Sequence, residues 1–240
     1  MTPVFSDTAM VLAAGQGLRM RPLTLQTPKP LLKVGGKTML DHALDKLVAV
    51  GIKRAVVNTF YLAEQIETHL KNRKDIEIII SRETELLDTG GGIKKALSHF
   101  ESKPFFALNA DLPWMDQKEP SLGRMQHFWD PVKMDMLLLV MAREAAKGFG
   151  GKGDFALING QLRRADILPP LPYVFISAQI LKPELFSHIS DNIFSNNILF
   201  NRAETAGKLY GLEHTGSCYH VGTPQDLEKA NALLASGQGW

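Results

Sequence analysis

Apolar and polar positions alternate along the first half of the chain in two rhythms. Short continuous apolar runs at 8–14, at Ala55-Val56-Val57, at Ile76 with Ile78-Ile79-Ile80, and over 105–109 have the length of buried strands. Between them, Leu40, Ala43, Leu44, Leu47 and Val48 share one helical face, and Gly51 is placed to cap that helix. Leu62, Ile66 and Leu70 mark a second helix. A third is predicted after Gly92, with Ile93, Ala96, Leu97 and Phe100 on one side. Strands alternating with helices predict an α/β fold, a parallel sheet with helices on both faces. In such sheets ligands sit beyond the carboxyl ends of the strands. Gly15, Asn58 and Asp111 all fall there and are expected to meet in one crevice.

The second half is less regular. It shows an apolar strand over 136–141 and a hairpin from 155–158 to 161–164 whose Asn159-Gly160 turn suits type I′. A strand follows over 173–181, then a short helix over 183–189, a longer one over 197–206 and an amphipathic one over 225–235. The stretch 113–133 carries Trp114, Phe128 and Trp129, which either cover the crevice or fill a small core. There is no linker rich in proline or glycine and no internal repeat, so residues 1–240 are expected to form one domain. Its first part, about 8–112, carries the crevice, and about 113–240 closes it.

The first strand ends abruptly at Gly15. Gly17, Arg19 and Arg21 follow, then Lys29 between Pro28 and Pro30. Glycines let backbone N–H groups approach an anion closely, because no Cβ intervenes. A guanidinium at Arg19 can clamp phosphate oxygens with its planar fork. Lys29 adds a second positive charge on a segment stiffened by prolines. This is equipment for a ligand rich in phosphate. A dinucleotide-binding loop would need a glycine where Met20 stands. A P-loop ending in Gly36-Lys37-Thr38 would need one where Leu31 stands. A plain strand-to-helix turn with solvated arginines would not need the Thr27-Pro28-Lys29-Pro30 segment.

The net charge of +2 gives no support for nucleic-acid binding. Cys218 is the single cysteine, which excludes an internal disulfide and a thiolate metal cluster. No apolar run reaches the ~18 residues of a membrane span, and the opening residues lack an export pattern. A cytoplasmic protein, with no membrane partner, is expected. Asp111 ends an apolar strand, where a carboxylate needs a cationic companion. Mg²⁺ suits it, being held by hard oxygens, waters and substrate phosphates; a local N-cap is the alternative.

The run Leu12-Ala13-Ala14-Gly15-Gln16-Gly17-Leu18-Arg19-Met20 with Pro28-Lys29-Pro30 resembles the signature of the sugar-1-phosphate nucleotidyltransferases. The segments Glu85-Leu86-Leu87-Asp88-Thr89-Gly90-Gly91-Gly92, Asn109-Ala110-Asp111 and Val221-Gly222-Thr223-Pro224 extend the resemblance over nearly the whole chain. With Gly153-Asp154-Phe155 and the Leu209-Tyr210-Gly211-Leu212 ending, it is most similar to the short bacterial N-acetylmuramate-1-phosphate uridylyltransferases. The resemblance implies a Rossmann-like, mixed and mainly parallel sheet. It implies transfer of a nucleotide from a nucleoside triphosphate to a sugar-1-phosphate, with Mg²⁺ or Mn²⁺ as cofactor and small molecules as partners. A monomer or weak homodimer is expected.

Arg19, Lys29 and Asp111 would carry the chemistry. Leu12, Ala13, Ala14, Gly15, Gly17, Arg19, Glu85, Thr89, Gly90 and Gly91 would bind the nucleotide. Asn58, Asn109, Asp154 and Ser177 would face the sugar. Thr89 could instead cap the following helix, and Asn58 could be structural. Three positions depart from the family pattern. His220 stands where an aspartate usually completes the metal site; it either ligates the metal, touches a phosphate, or leaves the ion to Asp111 and substrate. Ser177 replaces a usual glycine, and Ala110 another. Mannose-1-phosphate with GTP, other hexose or heptose phosphates, and a nucleotide sensor without catalysis are the competing functions.

Overall fold

The computed structural model describes residues 5–164 and 168–237. In chain order it contains strand β1 (Thr8–Leu12), a small hairpin β2 (Lys33–Val34) and β3 (Lys37–Thr38), and helix α1 (Met39–Ala49). Then come β4 (Arg54–Thr59), α2 (Ala63–Leu70), β5 (Glu77–Arg82), α3 (Asp88–Lys95) and β6 (Phe105–Asn109). The second half adds β7 (Trp114–Met115), α4 (Ser121–Phe128), β8 (Met136–Ala142), β9 (Ala156–Ile158), β10 (Gln161–Arg163) and β11 (Tyr173–Leu181). It ends with α5 (Asn197–Thr205), β12 (Leu209–Glu213), β13 (Ser217–Cys218) and α6 (Pro224–Ala235).

A nine-stranded sheet runs in the order β5-β4-β1-β6-β11-β8-β12-β10-β9. The β5, β4, β1 and β6 strands are mutually parallel. Against them β11 runs antiparallel, then β8 and β12 resume the first direction. The sheet is therefore mixed and mostly parallel, as expected. Two cores cover its faces. On one lie Val11, Val57, Leu108 and Ile180 with Leu40, Leu44, Ile66 and Met125 from α1, α2 and α4. On the other lie Met10, Val56, Ala107 and Leu138 with Ile93, Leu199 and Phe200 from α3 and α5. The strand period of two sends alternate residues of each strand to opposite faces. A third, smaller core joins Met20 and Val34 to Tyr219, Val221, Leu227 and Ala230. It ties the segment after the glycine turn to α6.

Most predicted elements are present, with instructive differences. The first strand stops at Leu12 rather than at residue 14. There the Ala13 N–H turns from the sheet to donate to Asn58 Oδ1, at 2.7 Å. The long loop after Gly15 is built from three single 3-10 turns and the β2–β3 hairpin. The third helix starts at Asp88, before the glycines rather than after them, and gives way to a 3-10 turn at Leu97–Phe100. The β12 strand has no clear signature in sequence, because Gly211 interrupts its apolar run. The structure gives the reason for that glycine: a Cβ there would lie 2.7 Å from Leu162 Cδ2. Trp114 and Trp129 are buried in the first core and Phe128 is 42% exposed; none of them lines the cleft described below. The turn glycines behave as read. Gly51 closes α1 at φ 81°, and Asn159 and Gly160 both have positive φ in the β9–β10 turn.

Candidate active site

The carboxyl ends of β1, β4 and β6 open into a cleft of about 730 Å³. Its floor is the backbone from Leu12 to Gly15, with Gly17, Arg19 and Lys29 along one side. Gly15 has open space where a Cβ would stand, whereas Gly17 sits at φ 60° with Thr24 and Lys29 packed against it. The first glycine thus leaves room for a ligand and the second makes the turn. A smaller cavity of about 210 Å³ adjoins it. Residues from the second half line this one, including Phe149, Asp154, Phe175, Ser177 and His220. Lys29, Asn109 and Asp111 line both.

The boundary between the cavities is an ion pair. Lys29 Nζ lies 2.9 Å from Asp111 Oδ2, and the two side chains are 10% and 43% exposed. Enclosure in the cleft pushes the Asp111 carboxyl up. The Lys29 ammonium overrides that, through its charge and hydrogen bond, with His220 and Arg19 adding to it, so the net shift is downward. His220 is pushed the other way from its usual range. Burial, Lys29 and Arg19 disfavour its imidazolium more than Asp111 and Asp226 favour it. A neutral ring is the form that faces the cavity at neutral pH. A Cβ on Gly222 would lie 3.1 Å from His220 Nε2 and 3.2 Å from Arg19 Nη1, so glycine lets the two side chains share that corner. The ring also meets Phe149 edge-on, with centroids 5.8 Å apart.

A buried network behind the floor holds the glycine turn in place. Asn58 is 2% exposed, accepts from Ala13 N–H, and donates from Nδ2 to Glu83 Oε1 at 2.7 Å. Glu83 in turn accepts from Leu87 N–H at 3.1 Å. Asn58 therefore touches the cleft while its Oδ1 and one Nδ2 hydrogen position the glycine turn. The structural role left open for it in the sequence is thus present, and it lines the large cavity rather than the smaller one. Glu83, 4% exposed, is a member of the site that the sequence did not disclose.

The glycine triplet also differs from expectation. The Gly90 and Gly91 N–H groups donate to the Phe194 carbonyl, at 2.9 and 3.0 Å. A Cβ at Gly90 would fall 2.4 Å from the Phe194 ring, and one at Gly91 would fall 2.1 Å from the Asn192 carbonyl oxygen. These glycines admit the 192–194 segment, not a ligand, and neither lines the cleft. Glu85 is exposed and lines neither cavity. Thr89 does not cap α3; its Oγ1 accepts from Asn196 N–H at 2.8 Å. Thr89 does line the large cavity, and Leu86, Asp88 and Ile193 line it in place of Glu85, Gly90 and Gly91. Ile193 comes from the second half of the chain and had no signal in the sequence.

On the smaller cavity, Asp154 Oδ2 accepts from Phe175 N–H at 2.9 Å. Ser177 holds φ 69° within a bulge of β11 against β8. A left-handed backbone favours glycine, since a Cβ costs roughly 1–2 kcal/mol in that region. Ser177→Gly is expected to stabilise the protein by about 1 kcal/mol. The melting temperature should rise by ~2–4 °C. An unchanged or lowered melting temperature would count against the strain.

Residues 8–151 match the family described as nucleotidyl transferase. A curated N-acetylmuramate alpha-1-phosphate uridylyltransferase of Caulobacter vibrioides is 40% identical over 95% of this chain and 96% of its own length. The chain belongs to the sugar-1-phosphate nucleotidyltransferases of that family. A second protein of the same description, from Neisseria meningitidis, is 31% identical over 95% of this chain and 98% of its own. Among solved structures, HddC from Yersinia pseudotuberculosis shares the fold, with a TM-score of 0.74 and 20% identity over 95% of this chain and 99% of that one. The transferase's matched region carries the glycine turn, Arg19, Lys29 and Asp111.

The donor set around Asp111 suits one kind of metal site. Its Oδ1 has no hydrogen-bond partner among the described residues, and the side chain is open to the cleft. No group of three or more His, Cys, Asp or Glu that could hold an ion occurs among the described residues. A cation anchored by one carboxylate and completed by water and substrate phosphates fits; a cage built from protein alone does not. No helix among the described residues is long and apolar enough to cross a membrane.

Proposed function

We propose that this transferase moves UMP from UTP to N-acetylmuramate-1-phosphate and releases pyrophosphate. The observation that carries this is the Lys29–Asp111 pair at the join of two cavities, one floored by the glycine turn and one walled by the second half. The relatives from Caulobacter and Neisseria supply the choice of base and sugar. Residues 8–112 serve the nucleotide and 113–240 mostly the sugar, with Ile193 and Gly222 crossing over.

The attacking group is a phosphate oxygen of the sugar-1-phosphate, already ionised. It forms a bond to the α-phosphorus of UTP as the bond to the leaving pyrophosphate breaks. No proton has to move, so the protein's task is to hold two anions in line and neutralise their charge. Gly15 and its neighbours offer backbone N–H groups to the triphosphate. Arg19 neutralises the departing pyrophosphate. Lys29 reaches both reacting phosphates from the shared boundary. Asn109, Asp154 and Ser177 face the sugar. Mg²⁺, or Mn²⁺ in its place, held on Asp111 would neutralise charge on the α-phosphate, with His220 beside it as a neutral ring.

Pyrophosphate release over a grid of nucleoside triphosphates and sugar-1-phosphates tests the reading. The strongest signal is expected for UTP with N-acetylmuramate-1-phosphate, and chelation of divalent cations should abolish it. A dominant signal for GTP with mannose-1-phosphate, or silence across the grid, would overturn it.

A further inference from the structure

The loop from Gly15 to Lys29 carries Arg19, yet nothing grips the guanidinium itself. Arg19 makes no side-chain hydrogen bond or ion pair among the described residues. Its direction therefore comes from the backbone of the Leu18–Met20 turn. Met20, its neighbour, packs into the third core on one side. On the other side the turn rests on Thr24. The Gly17 carbonyl accepts from Met20 N–H and from Thr24 Oγ1, each at 2.9 Å. Thr24 is fully buried there, and a Cβ on Gly17 would fall 3.0 Å from its Cγ2.

Thr24 is held in turn from outside the loop. Tyr61 Oη donates to the Thr24 carbonyl at 2.7 Å. Farther along, Gln65 Nε2 of α2 donates to the Gln26 carbonyl at 2.8 Å, in an exposed contact. Tyr61 lies between β4 and α2, just after Asn58. Asn58 fixes Ala13, where the loop begins, and Tyr61 fixes Thr24, beneath the glycine turn. The end of one strand thus grips the loop at two points. Tyr61 lines neither cavity, so its influence on a bound ligand must pass through the loop.

We propose that Tyr61 is a positioning residue for the transfer. Its hydroxyl pins Thr24, Thr24 pins Gly17, and the turn then presents Arg19 to the departing pyrophosphate. The inference rests on the role given to Arg19 in the proposed function. A hydrogen bond of this kind is worth a few-fold to about tenfold in an equilibrium. Displacement of a charge-stabilising group by about 1 Å costs up to a hundredfold in rate. Tyr61→Phe keeps the ring and removes only the donor, so it frees Thr24 without opening a cavity.

The test is steady-state pyrophosphate release from UTP and N-acetylmuramate-1-phosphate by the wild type, Tyr61→Phe, Arg19→Lys and the double variant. Tyr61→Phe should lower kcat about tenfold and leave KM for the sugar-1-phosphate unchanged. Arg19→Lys keeps the charge but not the planar fork, and a flexible ammonium depends less on the direction of the turn. In that background Tyr61→Phe should cost less than about twofold, so the two losses do not multiply. A merely structural tyrosine would lower kcat by the same factor in both backgrounds. That result, or a kcat that Tyr61→Phe does not move, overturns the inference and leaves the proposed function standing. A wild type silent with these substrates overturns both.

Discussion

Lys29→Met is expected to lower turnover by about a thousandfold or more, with the fold retained. Removal of a single preorganised donor at a site of developing charge costs on the order of 10²–10³ in rate. Lys29 should lie at the upper end, because it faces two anionic reactants at once. Its ammonium is held 2.9 Å from Asp111 on a side chain only 10% exposed, so it is aimed before any ligand arrives. Methionine fills a similar volume and keeps the 3-10 turn at Lys29–Leu31 packed. Single-turnover pyrophosphate release would check this, and turnover near the wild-type rate would sink the role.

Stability against pH gives a second readout for the same variant. Lys29 holds the Asp111 carboxyl below its ordinary range, so the pair contributes stability above that range. The contribution fades as pH falls through the lowered value and Asp111 takes up a proton. Lys29→Met lacks it throughout. The wild type should therefore be the more stable at neutral pH, and its advantage should shrink in acid.

Gly91→Ala should be among the most disruptive single methyls among the described residues. The added Cβ would stand 2.1 Å from the Asn192 carbonyl oxygen and 3.1 Å from Leu87 Cβ. Backbone rather than a flexible side chain is in the way, so the 192–194 segment must move. A cost of about 3 kcal/mol is expected. In a chain of this size that lowers the melting temperature by roughly 6–12 °C. Ile193 rides on the same segment, so nucleotide binding should weaken as well. Gly15→Ala is the contrasting case. Nothing lies within 4 Å of its Cβ position. Its melting temperature should stay within the scatter of a surface change, while nucleotide binding falls because the methyl occupies ligand space. Equal thermal effects for the two variants would refute this division between packing and ligand glycines.

That division also marks how far the sequence could be read. The parallel strands, their order of use and the convergence of Gly15, Asn58 and Asp111 follow from periodicity and from the rule for strand ends. Arg19, Lys29 and Asp111 stand out because charged residues beside apolar strands and rigid prolines need a reason. Glycines carry no such mark. Gly15 and Gly91 look alike in sequence, yet one makes room for a ligand and the other for the carbonyl of Asn192. The choice depends on a segment a hundred residues away. Asn58 was placed at the correct crevice, but its hydrogen bonds to Ala13 and Glu83 cross between strands and leave no local pattern. Ile193 belongs to the same class, since an isolated isoleucine in a polar stretch says nothing about which cavity it faces.

The small core around Met20 bears on what keeps the neighbouring arginine in place. Met20 is enclosed by Tyr219, Val221 and Leu227, which lie far from it in sequence. The turn that carries Arg19 is thus buttressed by residues from the opposite half of the sequence, so a packing defect around Tyr219 or Val221 reaches the cleft without touching any group that lines the glycine turn.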